Sequence, residues 1–284
     1  MLTLNSLKIA LLLVAFLIAM FWLLGFHALK KYGDSIYANM RAIGPRPVPD
    51  QDYQFLENNP RWHKDVFEVE PGIQLHGVVR EPENPSPTSP WLLLYHANGR
   101  VEFSSFPQFV SDLLDEGWGF AVWTYRGYGP SDGISTKTSL RQDSVRMAER
   151  LQQQWHVDAA QVRIYGFSLG TAPATYAAMA LSERGSPAAG VVLVATGYRP
   201  PFPSSLVYNP LTEVSIRDKI TSPILMIHGR NDRSHLLENA VADFTALKKA
   251  DADLLLVRAG HNPIGLDQVK DRVRKFLESP SSRM

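Results

Sequence analysis

The chain has 284 residues, of which 45% are hydrophobic and 20% are charged, and its formal net charge is +1. This composition is sufficient for one large buried core, and so small a net charge favours neither nucleic acid nor acidic molecules as partners. Because the sequence contains no cysteine, disulfides, thiolate zinc sites, iron–sulfur clusters and cysteine nucleophiles are excluded.

The first feature along the chain is an apolar stretch, IALLLVAFLIAMFWLLGF, at residues 9–26. As a helix it would extend roughly 27 Å, close to the thickness of a hydrocarbon core of about 30 Å. Lys8, Lys30 and Lys31 flank it, as basic residues commonly flank membrane spans. The pattern predicts one uncleaved transmembrane anchor over residues 1–30.

Two questions about this anchor stay open from the sequence. A cleaved signal peptide is the alternative, although the GFHALKK that ends and follows the stretch is a poor cleavage site. Basic residues after the stretch favour a cytoplasmic domain, whereas signal anchors often have the opposite orientation. The predicted localisation is therefore a single-pass membrane protein whose domain is assigned to neither side.

Between the anchor and the domain, residues 31–64 contain spaced prolines and polar residues, and they are predicted to form a juxtamembrane linker. Two alternating stretches follow, DVFEV at 65–69 and IQLHGVV at 73–79. Alternation of apolar and polar residues around a short EPG turn is typical of a hairpin that exposes one face.

From residue 91 onward, short apolar runs alternate with helical segments. Such runs are typical of strands buried on both faces. Strands are predicted at 91–96, 119–125, 162–167, 190–195, 224–229 and 253–258. The alternation predicts an α/β domain over residues 65–284, with a mostly parallel sheet covered by helices on both faces.

The clearest motif is GFSLG, which follows the predicted strand at 162–167 directly. A glycine on either side of Ser168 permits a sharp turn from strand to helix, which exposes the serine hydroxyl at the carboxyl edge of the sheet. The helix that follows also directs its N-terminal N–H groups at this point. We interpret Ser168 as a nucleophile, with a structural Gly-Ser turn as the alternative.

A serine nucleophile needs a base, and the base needs an acid that orients it. His261 lies in an exposed AGHNP turn after the last predicted strand and is the predicted base. His96 and His228, at strand ends, and His235, at a helix start, are weaker candidates. Asp232, in the HGRND loop, is the predicted acid, and a helix N-cap is its alternative role.

The tetrahedral intermediate of acyl transfer needs hydrogen-bond donors aimed at its oxyanion. The HANGR loop follows the first long buried strand and reaches the same edge as Ser168. We predict the backbone N–H groups of Asn98 and Leu169 as these donors, and Ala97 remains an alternative to Asn98.

These motifs resemble those of a single-pass membrane-anchored serine hydrolase of the α/β-hydrolase superfamily, over roughly residues 65–278. The matching pieces are HANG, YRGYGPSDG, GFSLG, HGRND and GHN, and Ser168, Asp232 and His261 occur in the order of that superfamily. The resemblance implies an α/β-hydrolase fold and esterase, lipase or acyl-thioesterase activity without a cofactor. Ala97 departs from the glycine usual in the oxyanion loop.

The predicted cap is short, because residues 196–223 are rich in proline and offer no long helix. Tyr198, Phe202 and Tyr208 within it are predicted to line an apolar acyl site. An open site beside a membrane would suit acyl ester or thioester substrates that arrive from lipid or from lipidated protein.

Other functions remain as alternatives. The same triad is compatible with peptide hydrolysis or perhydrolysis, and the fold is also compatible with a non-catalytic membrane-anchored scaffold. Nucleotide binding is disfavoured, because neither G-x-x-x-x-G-K-[ST] nor G-x-G-x-x-G after a strand is present. The oligomeric state is left open.

Overall fold

The computed structural model describes residues 13–25, 50–99, 101–197, 218–247 and 250–280. Its centre is one eight-stranded sheet in the order β1-β2-β4-β3-β5-β6-β7-β8. The strands are β1 Trp62–Glu70, β2 Ile73–Arg80, β3 Trp91–Tyr95, β4 Gly119–Trp123, β5 Val162–Phe167, β6 Gly190–Val194, β7 Ile224–Gly229 and β8 Ala252–Val257. β2 pairs antiparallel with β1 and with β4, and all other neighbours are parallel.

The helices cover both faces of the sheet, as the alternation in the sequence predicts. Residues 13–25 are helical and are called α1. The others are α2 Phe106–Leu113, α3 Lys137–Trp155, α4 Thr171–Glu183, α5 Leu237–Thr245 and α6 Asp267–Glu278. α3 and α4 bury their apolar residues in one core cluster, against which Phe244 of α5 packs, whereas α2 and α6 contribute to the other.

Strand β3 shows why the central strands read as continuous apolar runs. Leu93 and Tyr95 point into the α3/α4 cluster, and Leu92 and Leu94 point into the α2/α6 cluster. Successive side chains of a strand face opposite sides, so a strand covered on both faces needs apolar residues at every position.

The predicted strands are confirmed with small shifts of their ends, and the one qualification concerns β8. Five of its six residues are only half-buried, because β8 lies at one edge of the sheet. The apolar run therefore identified the strand correctly but overstated how deeply it is buried.

Packing begins before the predicted domain start at residue 65. A 3-10 turn at Asp50–Leu56 precedes β1, which itself begins at Trp62, and both Asp52 and Trp62 are buried. The end of the predicted linker is therefore in contact with the domain.

The predicted anchor is described only over residues 13–25, whose large apolar side chains, such as Phe21 and Trp22, are exposed. Within the described part of the chain, none of the helices combines the length and apolar character that crossing a bilayer requires. In the predicted cap, Tyr198, Phe202 and Tyr208 lie outside the described residues.

Candidate active site

The turn after β5 holds Ser168 in a conformation that few residues other than glycine adopt. Ser168 has φ +53°, and the 3-10 turn Ser168–Gly170 leads directly into α4. A non-glycine residue in this left-handed region costs about 1–3 kcal/mol, and such strain is common where a side chain must be aimed. Here it places the hydroxyl beyond the end of the strand.

The two glycines of GFSLG are required by close approaches rather than by their own φ. A Cβ on Gly166 would lie 2.6 Å from the carbonyl oxygen of Gly170 and 2.7 Å from Cβ of Ala174. A Cβ on Gly170 would lie 1.9 Å from the carbonyl oxygen of Tyr95, at the end of β3. The turn therefore packs directly against α4 on one side and against β3 on the other.

Three predicted residues meet in one hydrogen-bonded chain. His261 Nδ1 lies 2.8 Å from Oδ2 of Asp232, and His261 Nε2 lies 2.9 Å from Oγ of Ser168. Because an ionised carboxylate only accepts, Nδ1 donates to Asp232, which leaves the lone pair of Nε2 to accept from the serine hydroxyl. The Asp232 side chain is fully buried, and 31% of the His261 side chain is exposed.

Parallel pairing explains how residues so far apart in sequence converge. Ser168 follows β5, Asp232 follows β7 and His261 follows β8, and these strands run in the same direction in one sheet. Their carboxyl ends therefore lie along one edge, which is where open α/β sheets place their sites.

The N-cap position of α5 is Leu236, without a side-chain cap hydrogen bond, so the N-cap alternative for Asp232 is wrong. Asp232 instead accepts hydrogen bonds within the loop that precedes this helix and from the predicted base. Its Oδ1 accepts from the backbone N–H groups of Ser234 and His235, which precede α5, while Oδ2 accepts from His261. Burial raises the pKa of Asp232, but these three donors outweigh it and hold the pKa below its usual value. The carboxylate is thus kept ionised beside the imidazole.

His235, a weaker candidate from the sequence, packs against His261. Its ring meets that of His261 edge to face, with centroids 4.5 Å apart, and its Nδ1 donates to the carbonyl oxygen of Ala195 at 2.6 Å. His228 Nε2 in turn donates to the carbonyl oxygen of His235 at 2.9 Å. The contact between His235 and Ala195 forms only because β6 pairs with β7, so no local pattern in the sequence indicates it.

The same neighbourhood contains residues that can hold a metal ion. Asp232, His235 and His261 each offer one ligand atom, and these atoms lie within 4.8 Å of one another. Both ring nitrogens of His261 already take part in the hydrogen bonds to Asp232 and Ser168, so a cation bound to His261 would compete with its role as a base.

Hydrogen bonds and ring contacts connect the predicted oxyanion loop to the loop that follows β4. Tyr125 Oη donates to the carbonyl oxygen of His96 at 2.8 Å, and Tyr128 Oη donates to Oδ1 of Asn98 at 2.8 Å. The His96 and Tyr125 rings stack with centroids 4.0 Å apart. Both tyrosines belong to the YRGYG motif. The sequence analysis did not predict that this motif holds the oxyanion loop. The donors on Asn98 and Leu169 stay a prediction.

The charged residues of YRGYGPSDG make structural contacts with neighbouring elements. Arg126 donates to both oxygens of the buried Asp143 and to both oxygens of Glu70. Asp132 Oδ2 accepts from the backbone N–H of Gln74 on β2.

Stability is expected to fall as the pH is lowered from about 6.5 to about 4, because two buried histidines resist protonation. Burial, as the largest cause, lowers the pKa of His96 to about 4 and that of His235 to about 4. In the unfolded chain both groups titrate near pH 6.5, so the unfolded state binds more protons in this window and is favoured.

Urea unfolding at intervals between pH 7.5 and 4 would measure this dependence. His96→Phe keeps an aromatic ring against Tyr125 but cannot take up a proton, so its unfolding free energy should change less steeply with pH. An equally steep dependence in this variant would contradict the assignment of His96.

The fold and the site geometry together define the class of protein: an α/β hydrolase fold with a serine, a histidine and an aspartate aligned at the carboxyl edge. No family model matches the sequence. The human α/β hydrolase domain-containing protein 17B is 27% identical over 200 residues, 68% of either chain. Mouse protein 17C is 27% identical over 206 residues, 69% of this chain and 63% of its own.

Solved structures support the fold independently. An esterase from Pyrococcus furiosus superposes with a TM-score of 0.64 at 18% identity, covering 84% of this chain and 97% of its own. An α/β hydrolase from Vibrio vulnificus gives 0.63 at 17% identity, covering 84% and 87%. Dipeptidyl peptidase 4 of Porphyromonas gingivalis gives 0.61 at 16% identity, covering 76% and 35%. The curated relatives and the solved structures together support an α/β-hydrolase fold for this chain.

Proposed function

We propose that this protein is a serine hydrolase that cleaves carboxylic ester or thioester bonds of acyl substrates through an acyl-enzyme. The observation that carries the proposal is the continuous chain of hydrogen bonds from Ser168 Oγ through His261 to the buried Asp232. This arrangement gives a hydroxyl a base that can remove its proton and gives that base a fixed orientation.

The mechanism follows from the direction of these hydrogen bonds. Ser168 Oγ attacks the acyl carbonyl carbon, and its proton passes to His261 Nε2. The imidazolium that forms is stabilised by the ionised Asp232, which also fixes the proton on Nδ1. The negative charge on the carbonyl oxygen is directed to the backbone N–H groups of Asn98 and Leu169.

Collapse of the tetrahedral intermediate breaks the bond to the leaving group. His261 returns its proton to the leaving alcohol or thiol, and the acyl group remains on Ser168. A water molecule then gives its proton to His261 and attacks the acyl carbonyl, which releases the carboxylic acid and restores the serine hydroxyl. Water is the only co-reactant that this cycle requires.

The choice of ester or thioester over other bonds can be tested with a substrate panel. We expect turnover of 4-nitrophenyl esters and acyl thioesters of short and long chains, with an initial burst when deacylation is slower than acylation. Cleavage of peptides without cleavage of either acyl class would favour the peptidase alternative, and formation of peracids with hydrogen peroxide would favour the perhydrolase. Folded protein that turns over none of these and does not react with a fluorophosphonate would favour the scaffold.

We further propose that residues 1–30 anchor the protein in a membrane and that its substrates are acyl groups of lipid or lipidated protein. The exposed apolar side chains of residues 13–25, which include Phe21 and Trp22, support the anchor. Full-length protein expressed in cells should remain in the membrane fraction after washing with alkaline carbonate. Release into the supernatant by that wash would contradict the anchor.

A further inference from the structure

A buried carboxylate from the segment before β1 reaches the loop after β3. Asp52 lies in the 3-10 turn Asp50–Leu56 and is 8% exposed. Its Oδ2 accepts from the backbone N–H of Phe103 at 2.9 Å. Its Oδ1 accepts from the backbone N–H and the hydroxyl of Ser104, at 2.9 and 2.6 Å. More than fifty residues of sequence separate Asp52 from Phe103 and Ser104.

The segment that Asp52 contacts has no side-chain cap of its own at either helix start. The 3-10 turn Phe103–Ser105 runs directly into α2, and neither Glu102 nor Ser105 makes a side-chain cap hydrogen bond at the two helix starts. The first N–H groups of a helix need acceptors, and an anion is favoured at this end. Asp52 therefore acts as an N-cap supplied from a distant part of the chain.

Aromatic contacts reinforce this connection. The rings of Tyr53 and Phe103 lie with centroids 5.3 Å apart, and the ammonium group of Lys64 sits 3.6 Å from the centroid of Tyr53. Phe103 is fully buried in the α2/α6 cluster together with Val101. Residues 50–56 are thus packed onto the chain that leaves the oxyanion loop, and we call them the clasp.

Hydrogen bonds hold the chain on both sides of the predicted oxyanion loop, which contains Asn98. On one side, Tyr125 and Tyr128 hold His96 and Asn98. On the other side, Asp52 holds Phe103, five residues beyond Asn98. Donors that stabilise an oxyanion act only when they are held in place before the reaction, and a displacement of about 1 Å can lower a rate about 100-fold.

We propose that the clasp positions the oxyanion loop, with Asp52 as a positioning residue that acts through Phe103 and Ser104 on the donor at Asn98. This inference rests on the proposed function, because it assigns a role in that reaction to a segment that precedes the domain predicted from the sequence. In this proposal the three hydrogen bonds between Asp52 and the Phe103–Ser104 segment help to hold the oxyanion loop in place.

The test compares Asp52→Asn with Asp65→Asn in the full-length protein. Asp65 is a matched control, since it is also 8% exposed and also accepts three hydrogen bonds. These come from the side chains of Trp123 and Arg150. We expect Asp52→Asn to lower kcat for an acyl ester by about 10- to 100-fold with KM changed less than about threefold. Asp65→Asn should leave kcat of the folded fraction within about threefold.

A milder second variant keeps the proposal testable if Asp52→Asn does not fold. Ser104→Ala removes one of the three hydrogen bonds to Asp52 and leaves both backbone donors, so it should fold and show a smaller loss of kcat. Thr136→Ala, which removes the N-cap acceptor of Ser139 at the start of α3, is its control and should not change kcat.

Hydrogen–deuterium exchange without substrate provides a readout that does not depend on the reaction. Asp52→Asn should increase exchange severalfold in peptides that cover residues 96–105 and not in peptides that cover β5 and β6. Unchanged exchange would overturn the clasp, and increased exchange with unchanged kcat would overturn its positioning role. A wild-type protein without activity would overturn the proposed function, while the exchange result would still decide whether the clasp exists.

Discussion

Replacing Ser168 by alanine is expected to lower kcat for an acyl ester by about 10⁴- to 10⁶-fold and to abolish covalent labelling by a fluorophosphonate. The reason is that Ser168 Oγ is the hydrogen-bond partner of His261 Nε2, so the variant removes the atom that would attack the carbonyl. Alanine is smaller than serine and is strained to a similar degree at φ +53°, so the fold should be retained. Steady-state kinetics and gel-based labelling measure the two effects.

The control for this variant is a serine that is not in the site. Ser111→Ala changes an exposed hydroxyl on α2 that bonds to the carbonyl oxygen of Gln108. It should be labelled and should turn over substrate like the wild type. Labelling of Ser168→Ala at the wild-type rate would show that another residue is the nucleophile.

The largest effect on stability is expected from Gly170→Ala. A Cβ at this position would lie 1.9 Å from the carbonyl oxygen and 2.6 Å from the carbonyl carbon of Tyr95. Both are backbone atoms of β3, a central strand that pairs with β4 and β5, so the neighbour cannot rotate away. We expect a loss of about 3 kcal/mol or more in the free energy of unfolding, measured in urea.

Gly265→Ala is the matched control, because no atom lies within 4 Å of a Cβ built there. Its unfolding free energy should stay within about 0.5 kcal/mol of the wild type. If Gly170→Ala were as stable as Gly265→Ala, the close approach between the nucleophile turn and β3 would be wrong. The placement of the oxyanion loop beside Ser168 would then be wrong as well.

The parts of the site that the sequence predicted share one property, which is a strong local pattern. GFSLG requires two small residues around Ser168, and the structure shows the close contacts that impose them. His261 and Asp232 were predictable because each follows an apolar run, and parallel strands bring their carboxyl ends to one edge. Local pattern and chain direction sufficed for these three residues.

Other parts of the site depend on contacts between distant segments, which leave no local pattern. Asp52 is an ordinary acidic residue in a proline-rich stretch until the fold places it at the 3-10 turn that precedes α2. Tyr128 and His235 gain their partners Asn98 and Ala195 only when neighbouring strands are in place.

The amino-acid sequence by itself determined the strands, the helices that alternate with them, and the order and identity of the serine, aspartate and histidine. Hydrophobic periodicity and turn chemistry are local properties, so they can be read along the chain. The tertiary structure alone decided which strands lie at the edges of the sheet, where the segment before β1 packs, and which residues surround His261. Those features arise from the packing of residues far apart in sequence, where many acidic, aromatic or histidine residues would be equally plausible partners before the chain is folded.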